Sequence, residues 1–216
     1  MTNSRSQEEN LPPRVVITGI GVITPLGRSL GAIWSALENH ESGVRNITRF
    51  DSSGLESSVA GEIQESDLAD SRFRSDYFQS LRAGSRYSAS AALTAVQAAG
   101  LSLTPENSGQ IACVIASAES QEITFFTKEK GAEIADTSHP GQNVAAFLGI
   151  TGPVMPLDGR YVSGLEAIIE ASEIIRRKDA YVAIAGGTDA QINLSTFAEC
   201  ESRKELTTQS STNPEL

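Results

Sequence analysis

The residues whose types and spacing come nearest to chemistry lie between Val154 and Lys178, where the chain reads as strand, sharp turn and helix. A turn of that kind lifts one side chain onto a helix N-terminus, whose free backbone N–H groups stabilise an anion. The stretch runs Asp158-Gly159-Arg160-Tyr161-Val162-Ser163-Gly164. It does not carry the G-x-S-x-G of a hydrolase elbow, so Ser163 reads better as the N-cap of the helix, a role serine favours. No residue of the segment supplies a base that would activate it. Glu166, Glu170 and Glu173 share one stripe of the same helix, the ordinary pattern of a solvated face.

The other candidates are weaker. Gly19-x-Gly21 follows an apolar run and resembles the start of a dinucleotide-binding turn. The third glycine of that fingerprint is missing, because its place is held by Thr24, with Pro25 after it. A tight turn accounts for the pair. His40 stands at a helix end and His139 precedes a proline, both structural settings. Cys113, inside Ile111-Ala112-Cys113-Val114-Ile115-Ala116, reads as a small buried hydrophobe. Cys200, between Glu199 and Glu201, lacks the electropositive setting that makes a thiol reactive. Two cysteines so placed form neither a disulfide framework nor a zinc site, and no cofactor or metal is expected.

The elements that position these residues follow from composition and pattern. The chain has 216 residues, 17 basic against 27 acidic, a net charge of −10, 39% apolar residues and a single Trp. That is enough apolar material for one α/β domain, and the acidic balance excludes binding to nucleic-acid phosphates. No apolar run approaches a membrane span, and the start shows no secretory h-region, so the chain reads as soluble and cytoplasmic. Residues 1–12 read as a flexible leader and 13–214 as a single domain.

Strands are expected at Arg14–Ile20, Val59–Ile63, Ile111–Ala116, Val154–Leu157 and Tyr181–Ala185. Helices are expected at Ser29–Glu38, Tyr87–Ala99, Asn143–Leu148 and Gly164–Lys178, with weak helical signals over Gln121–Gly141 and no element beyond Phe197. Alternation of strands and helices implies a mostly parallel sheet. The last helix is apolar on two faces, Leu165/Ile168/Ile169/Ile175 and Ala167/Ala171/Ile174, so it is expected to lie between two layers.

Taken in order, RVVITGIGVITPLG, IWSALENHESGVRNITRFD, VAGEI, SRYSASAALTAVQAAGL, IACVIAS, NVAAFLGITGP, SGLEAIIEASEIIRRKDAYVAIAGGTDA and FAECESRKELTTQSSTNPEL resemble the N-terminal half of a β-ketoacyl-(acyl-carrier-protein) synthase. The resemblance implies one half of a thiolase-like α/β fold, with a mixed, mostly parallel five-stranded sheet and helices on both faces. It implies the phosphopantetheine of an acyl carrier protein as the ligand. It also implies that the nucleophilic cysteine would sit two residues before the Ser-Gly dipeptide, and that position is Tyr161. A phenol, with an ordinary pKa near 10, is a poor substitute for a thiolate.

The family's decarboxylation histidines and lysine belong to a second half and are carried over onto no residue here. In the family the elbow helix lies between the two halves, so one apolar face of Gly164–Lys178 is expected to need cover. Covering partners of three kinds fit: a second copy, a separate catalytic synthase, or a C-terminal half. Related synthases pair through the strand before the elbow, which corresponds to Val154, Met155, Pro156 and Leu157. The expected function is therefore a non-catalytic partner subunit resembling chain-length factors in polyketide or fatty-acid biosynthesis. The alternatives are dehydration, isomerisation or cyclisation of a carrier-bound acyl chain, with Tyr161 as proton donor helped by Glu166 or a partner's histidine and Ser163 as a further candidate at the elbow, or half of a split or relic synthase.

Overall fold

In the computed structural model the described residues are 14–64, 68, 71–118, 139–159 and 162–207. Tyr161 and the expected leader lie outside them, as does most of the segment with weak helical signals. Five strands and six helices are described: α1 (Leu30–Glu38), β1 (Arg45–Asn46), β2 (Val59–Ala60), α2 (Asp76–Ser80), α3 (Ala83–Ala98), β3 (Ile111–Ser117), α4 (Pro140–Leu148), β4 (Val154–Asp158), α5 (Ser163–Arg176), β5 (Val182–Thr188) and α6 (Leu194–Ser202).

The main sheet is parallel, in the order β4-β3-β5. β3 is central because it is apolar or small throughout, and all seven of its residues are buried. Its side chains alternate between two cores. Ile111, Cys113 and Ile115 join Phe73, Phe78, Val144 and Leu148 beneath α3 and α4. Ala112, Val114 and Ala116 meet Ala167, Ala171 and Ile174 of α5 on the other face. Helices thus cover both faces, as expected of this fold class. Alanines on α5 and β3 let helix and strand backbones approach closely, and Met155 and Leu157 of the edge strand fill the flank.

Among the described residues the main sheet has three strands, not the expected five. β1 and β2 form a separate antiparallel pair, Arg45 against Ala60 and Asn46 against Val59. Arg14–Ile20 joins no sheet among the described residues. Its position is set by Gly19 and Gly21, where an added Cβ would stand 2.2 Å from the Ala95 carbonyl oxygen and 1.8 Å from that of Ala91 on α3. These glycines serve close packing on α3 rather than the turn expected of them; the turn follows at Thr24–Gly27, where the two residues exchange backbone hydrogen bonds at 2.9 and 3.0 Å. β-branched residues favour a pleated, covered surface; with no strand beside this run among the described residues, Val16 and Ile17 are 66% and 75% exposed.

Helix boundaries shift for local reasons. α3 starts four residues earlier than expected, with Gly84 and Ser85 buried in its first turn. α4 starts at Pro140 rather than Asn143 because His139 caps it. α6 is an element beyond Phe197 that the polar composition conceals, opened by Asn193 accepting from the Thr196 N–H at 2.9 Å.

Candidate functional site

The elbow is anchored from three sides. At the end of β4 the Gly159 N–H donates to the Ser117 carbonyl at 3.2 Å, which continues the parallel ladder past the last strand residue. Behind it stands His139, 6% exposed. Its Nδ1 accepts from the Gly141 N–H at 3.0 Å. The ring proton therefore resides on Nε2, which donates to the Leu157 carbonyl at 3.2 Å. Asp158 Oδ1 lies 3.6 Å from the same nitrogen. The His139 backbone N–H in turn donates to Gln142 Oε1 at 3.1 Å, completing a capping box. One imidazole thus ties the start of α4 to the end of β4.

On the far side of the turn, Ser163 is not the N-cap that sequence reasoning assigned. Val162 takes that place: its carbonyl accepts from the N–H groups of Leu165 and Glu166 at 2.9 and 3.0 Å, with no side-chain cap. Ser163 is the first residue inside the helix, and its Oγ donates to the Gly159 carbonyl at 2.9 Å. That bond closes the turn and commits the hydroxyl proton to structure. Gly164 lies against Gly187 of β5, where a Cβ on Gly187 would come within 3.2 Å of the Gly164 Cα. Two glycines therefore let the helix start settle directly on the neighbouring strand. Glu166 occupies the first turn of α5 in an exposed position, a favourable place for a carboxylate.

The expected candidates are not brought together. Ser163 and Glu166 both lie in the first turn of α5 with no hydrogen bond between them, and position 161 lies outside the described residues. His139 was missed as the brace of the elbow. Its signal was present, since a residue before Pro140 with Gln142 three positions on is a capping-box spacing. The cysteines behave as expected. Burial pushes the Cys113 thiol up to about 12, and its Sγ faces the Gly141 carbonyl at 3.5 Å. Cys200 is raised as well, by desolvation first and then by Glu205. Neither is a thiolate at neutral pH. Among the described residues no group of three or more His, Cys, Asp and Glu could hold a metal ion, and no helix is long and apolar enough to cross a membrane.

The two apolar faces of α5 separate cleanly. Ala167, Ala171 and Ile174 are buried against the sheet, whereas Leu165, Ile168 and Ile169 are 61%, 47% and 51% exposed. Val162 continues the open face at the elbow.

Comparison with known proteins agrees with this geometry. The chain is 30% identical over 195 residues to the 3-oxoacyl-[acyl-carrier-protein] synthase 2 of Coxiella burnetii, an alignment that covers 82% of this chain and 45% of that protein. The structure superposes on a type II polyketide acyl-carrier protein complexed with its ketosynthase bound to the hexaketide (TM-score 0.70, 24% identity, 94% of this chain and 52% of the other). It also superposes on the ishigamide ketosynthase/chain length factor (TM-score 0.67, 22% identity, 91% and 52%). At those identities the structural likeness is one of fold, and it is the thiolase-like ketosynthase fold. The chain spans about half the length of the curated relatives it matches. Residues 13–215 match the β-ketoacyl synthase N-terminal domain, so every described element falls inside that match and the chain belongs to this family.

Proposed function

We propose that this chain is a non-condensing, synthase-like partner subunit of the chain-length-factor kind, which pairs with a catalytic β-ketoacyl synthase in polyketide or fatty-acid biosynthesis. The observation that carries the reading is the open face of α5. Leu165, Ile168 and Ile169 form a contiguous apolar patch on a helix whose other face is already buried, and such a patch marks an interaction surface. Tyr161 supports the same reading, because a phenol at the thiol's position does not accept an acyl group at neutral pH. The acyl carrier protein of the pathway, with its phosphopantetheine arm, is the second expected partner. Pairing runs through the β4 edge, Val154, Met155, Pro156 and Leu157. The committed Ser163 hydroxyl speaks against a reaction run at the elbow by this chain alone.

Two measurements test the proposal. Tagged chain expressed in its native host is recovered and the complex sized; a full-length synthase in stoichiometric amount supports the reading, and a stable monomer that binds neither synthase nor carrier protein overturns it. Turnover of the recovered complex is then compared with its Tyr161→Phe form. Unchanged turnover is expected, and a loss of tenfold or more would assign Tyr161 to chemistry instead.

A further inference from the structure

β4 is an edge strand, and the sequence has put a proline in the middle of it. The ladder fixes which of its residues face the open edge. The Cys113 N–H donates to the Pro153 carbonyl at 2.8 Å and the Gly159 N–H donates to the Ser117 carbonyl at 3.2 Å. With Cys113 opposite Val154 and Ile115 opposite Pro156, positions 153, 155, 157 and 159 bond to β3. The backbone groups of Val154, Pro156 and Asp158 therefore point away from the sheet. Pro156 costs β3 nothing, and its missing N–H falls at the centre of the free edge. Among the described residues no strand pairs with that edge.

We propose that Pro156 makes the β4 edge selective for a different polypeptide over a second copy of this chain. This rests on the pairing reading above and names the kind of partner it takes. In any two-fold antiparallel pairing along β4 each copy contributes its own proline, so two N–H···O bonds are lost whatever the register. A partner strand without proline loses one bond only, and its own N–H groups still reach the Pro156 carbonyl. With each interfacial bond set at roughly tenfold in affinity (about 1.4 kcal/mol), self-pairing is weakened about a hundredfold and heterologous pairing about tenfold. Proline is one of the devices by which proteins blunt an edge strand against pairing with another chain, and a second copy brings that device twice. The occupant is thus an extended, proline-free strand on a partner subunit.

The test is sedimentation of the purified chain and its Pro156→Val form over a concentration series, with Val154→Pro added to the second as a control. Pro156→Val is expected to tighten self-association by about a hundredfold, and the added Val154→Pro to abolish the gain. Circular dichroism confirms that the variants keep their fold, and Pro156→Ala substitutes where valine does not fold. Unchanged self-association in Pro156→Val, or a gain that Val154→Pro leaves intact, overturns the inference. So does a wild-type chain that self-associates through this edge as tightly as the variant. Mixing the same proteins with the host's catalytic synthase reads the proposed function separately: wild-type binding to the synthase without any response to Pro156→Val leaves the partner reading standing and removes only the role of the proline.

Discussion

Replacing Ile168 and Ile169 by Gln separates what α5 does for this chain from what it holds out to another. Fully burying a Leu or Ile side chain stabilises by about 1.5–3 kcal/mol. Leu165, Ile168 and Ile169 keep 61%, 47% and 51% of their surface in water, so together they withhold about one and a half side chains' worth of burial. That amounts to something on the order of 2.5–5 kcal/mol that docking can still recover. Urea denaturation of the isolated chain is expected to show a loss of about 1 kcal/mol for each Gln variant, because roughly half of each side chain is covered already. Ile174→Ala, on the sealed face at 2% exposure, is expected to cost 2–5 kcal/mol in the same assay. Affinity for the partner should reverse that order, with the double Gln variant binding at least tenfold more weakly and Ile174→Ala, if folded, unchanged. Should Ile168→Gln unfold the isolated chain as readily as Ile174→Ala, the outer face would already be sheltered by the chain itself.

The buried thiol gives a pH test. Cys113 is held up to about 12 from 9.0 by desolvation, so its folded-state pKa exceeds the unfolded one. The neutral thiol's contribution is then fully present below about pH 9 and drains away as pH rises toward 12, by on the order of 4 kcal/mol at most. Stability measured in urea from pH 8 to 11 should fall more steeply for the wild type than for Cys113→Ala; parallel curves would refute it. The His139 brace is tested by His139→Ala, which is expected to cost about 1–3 kcal/mol by orphaning the Gly141 N–H and releasing the Leu157 carbonyl. His139→Asn restores a good N-cap without reaching Leu157 and should recover part of the loss, while an undiminished His139→Ala would show that the brace carries nothing.

Much of the fold was legible because its strongest signals are non-local in cause but local in pattern. A strand walled in on both faces must be apolar at every position, and IACVIAS is; α5 is apolar on two faces, but the expectation that it lies between two layers is met on one side only, since Leu165, Ile168 and Ile169 stay open among the described residues. What escaped reading depends on contacts that no pattern records. α6 buries only Phe197, so its sequence carries almost no periodicity and its Asn193 cap was the one clue. The start of α3 is made of Gly84 and Ser85, chosen for smallness where Thr188 Oγ1 donates to the Gly84 carbonyl at 3.0 Å. Ser163 failed as a cap because it stands inside the helix, with Val162 in the capping place and its own hydroxyl donating to the Gly159 carbonyl. Arg14–Ile20 has a strand's composition without a strand's neighbours, and propensity alone does not supply them.

The distribution of burial on α5 bears on why its outer face stays apolar. Helix formation does not require it: with Ala167, Ala171 and Ile174 sealed against β3, Glu or Lys at 165, 168 and 169 would keep the helix, match its propensity and improve solubility. Folding of the described residues does not require it either, since their two cores close without those three side chains. Leu165, Ile168 and Ile169 therefore stand as an expense to the isolated molecule, in aggregation if not in stability, which only a covering surface turns to advantage. The flank of the stripe narrows what that surface can be. Glu166 and Glu170 border the apolar side chains on one flank, so a second α5 laid antiparallel across Ile168 and Ile169 would set like charges against each other. A covering helix bordered by Lys or Arg meets no such penalty. Charge on one element and a missing N–H on another thus bear on the proposed pairing in the same sense, each setting a penalty on a second copy of this chain.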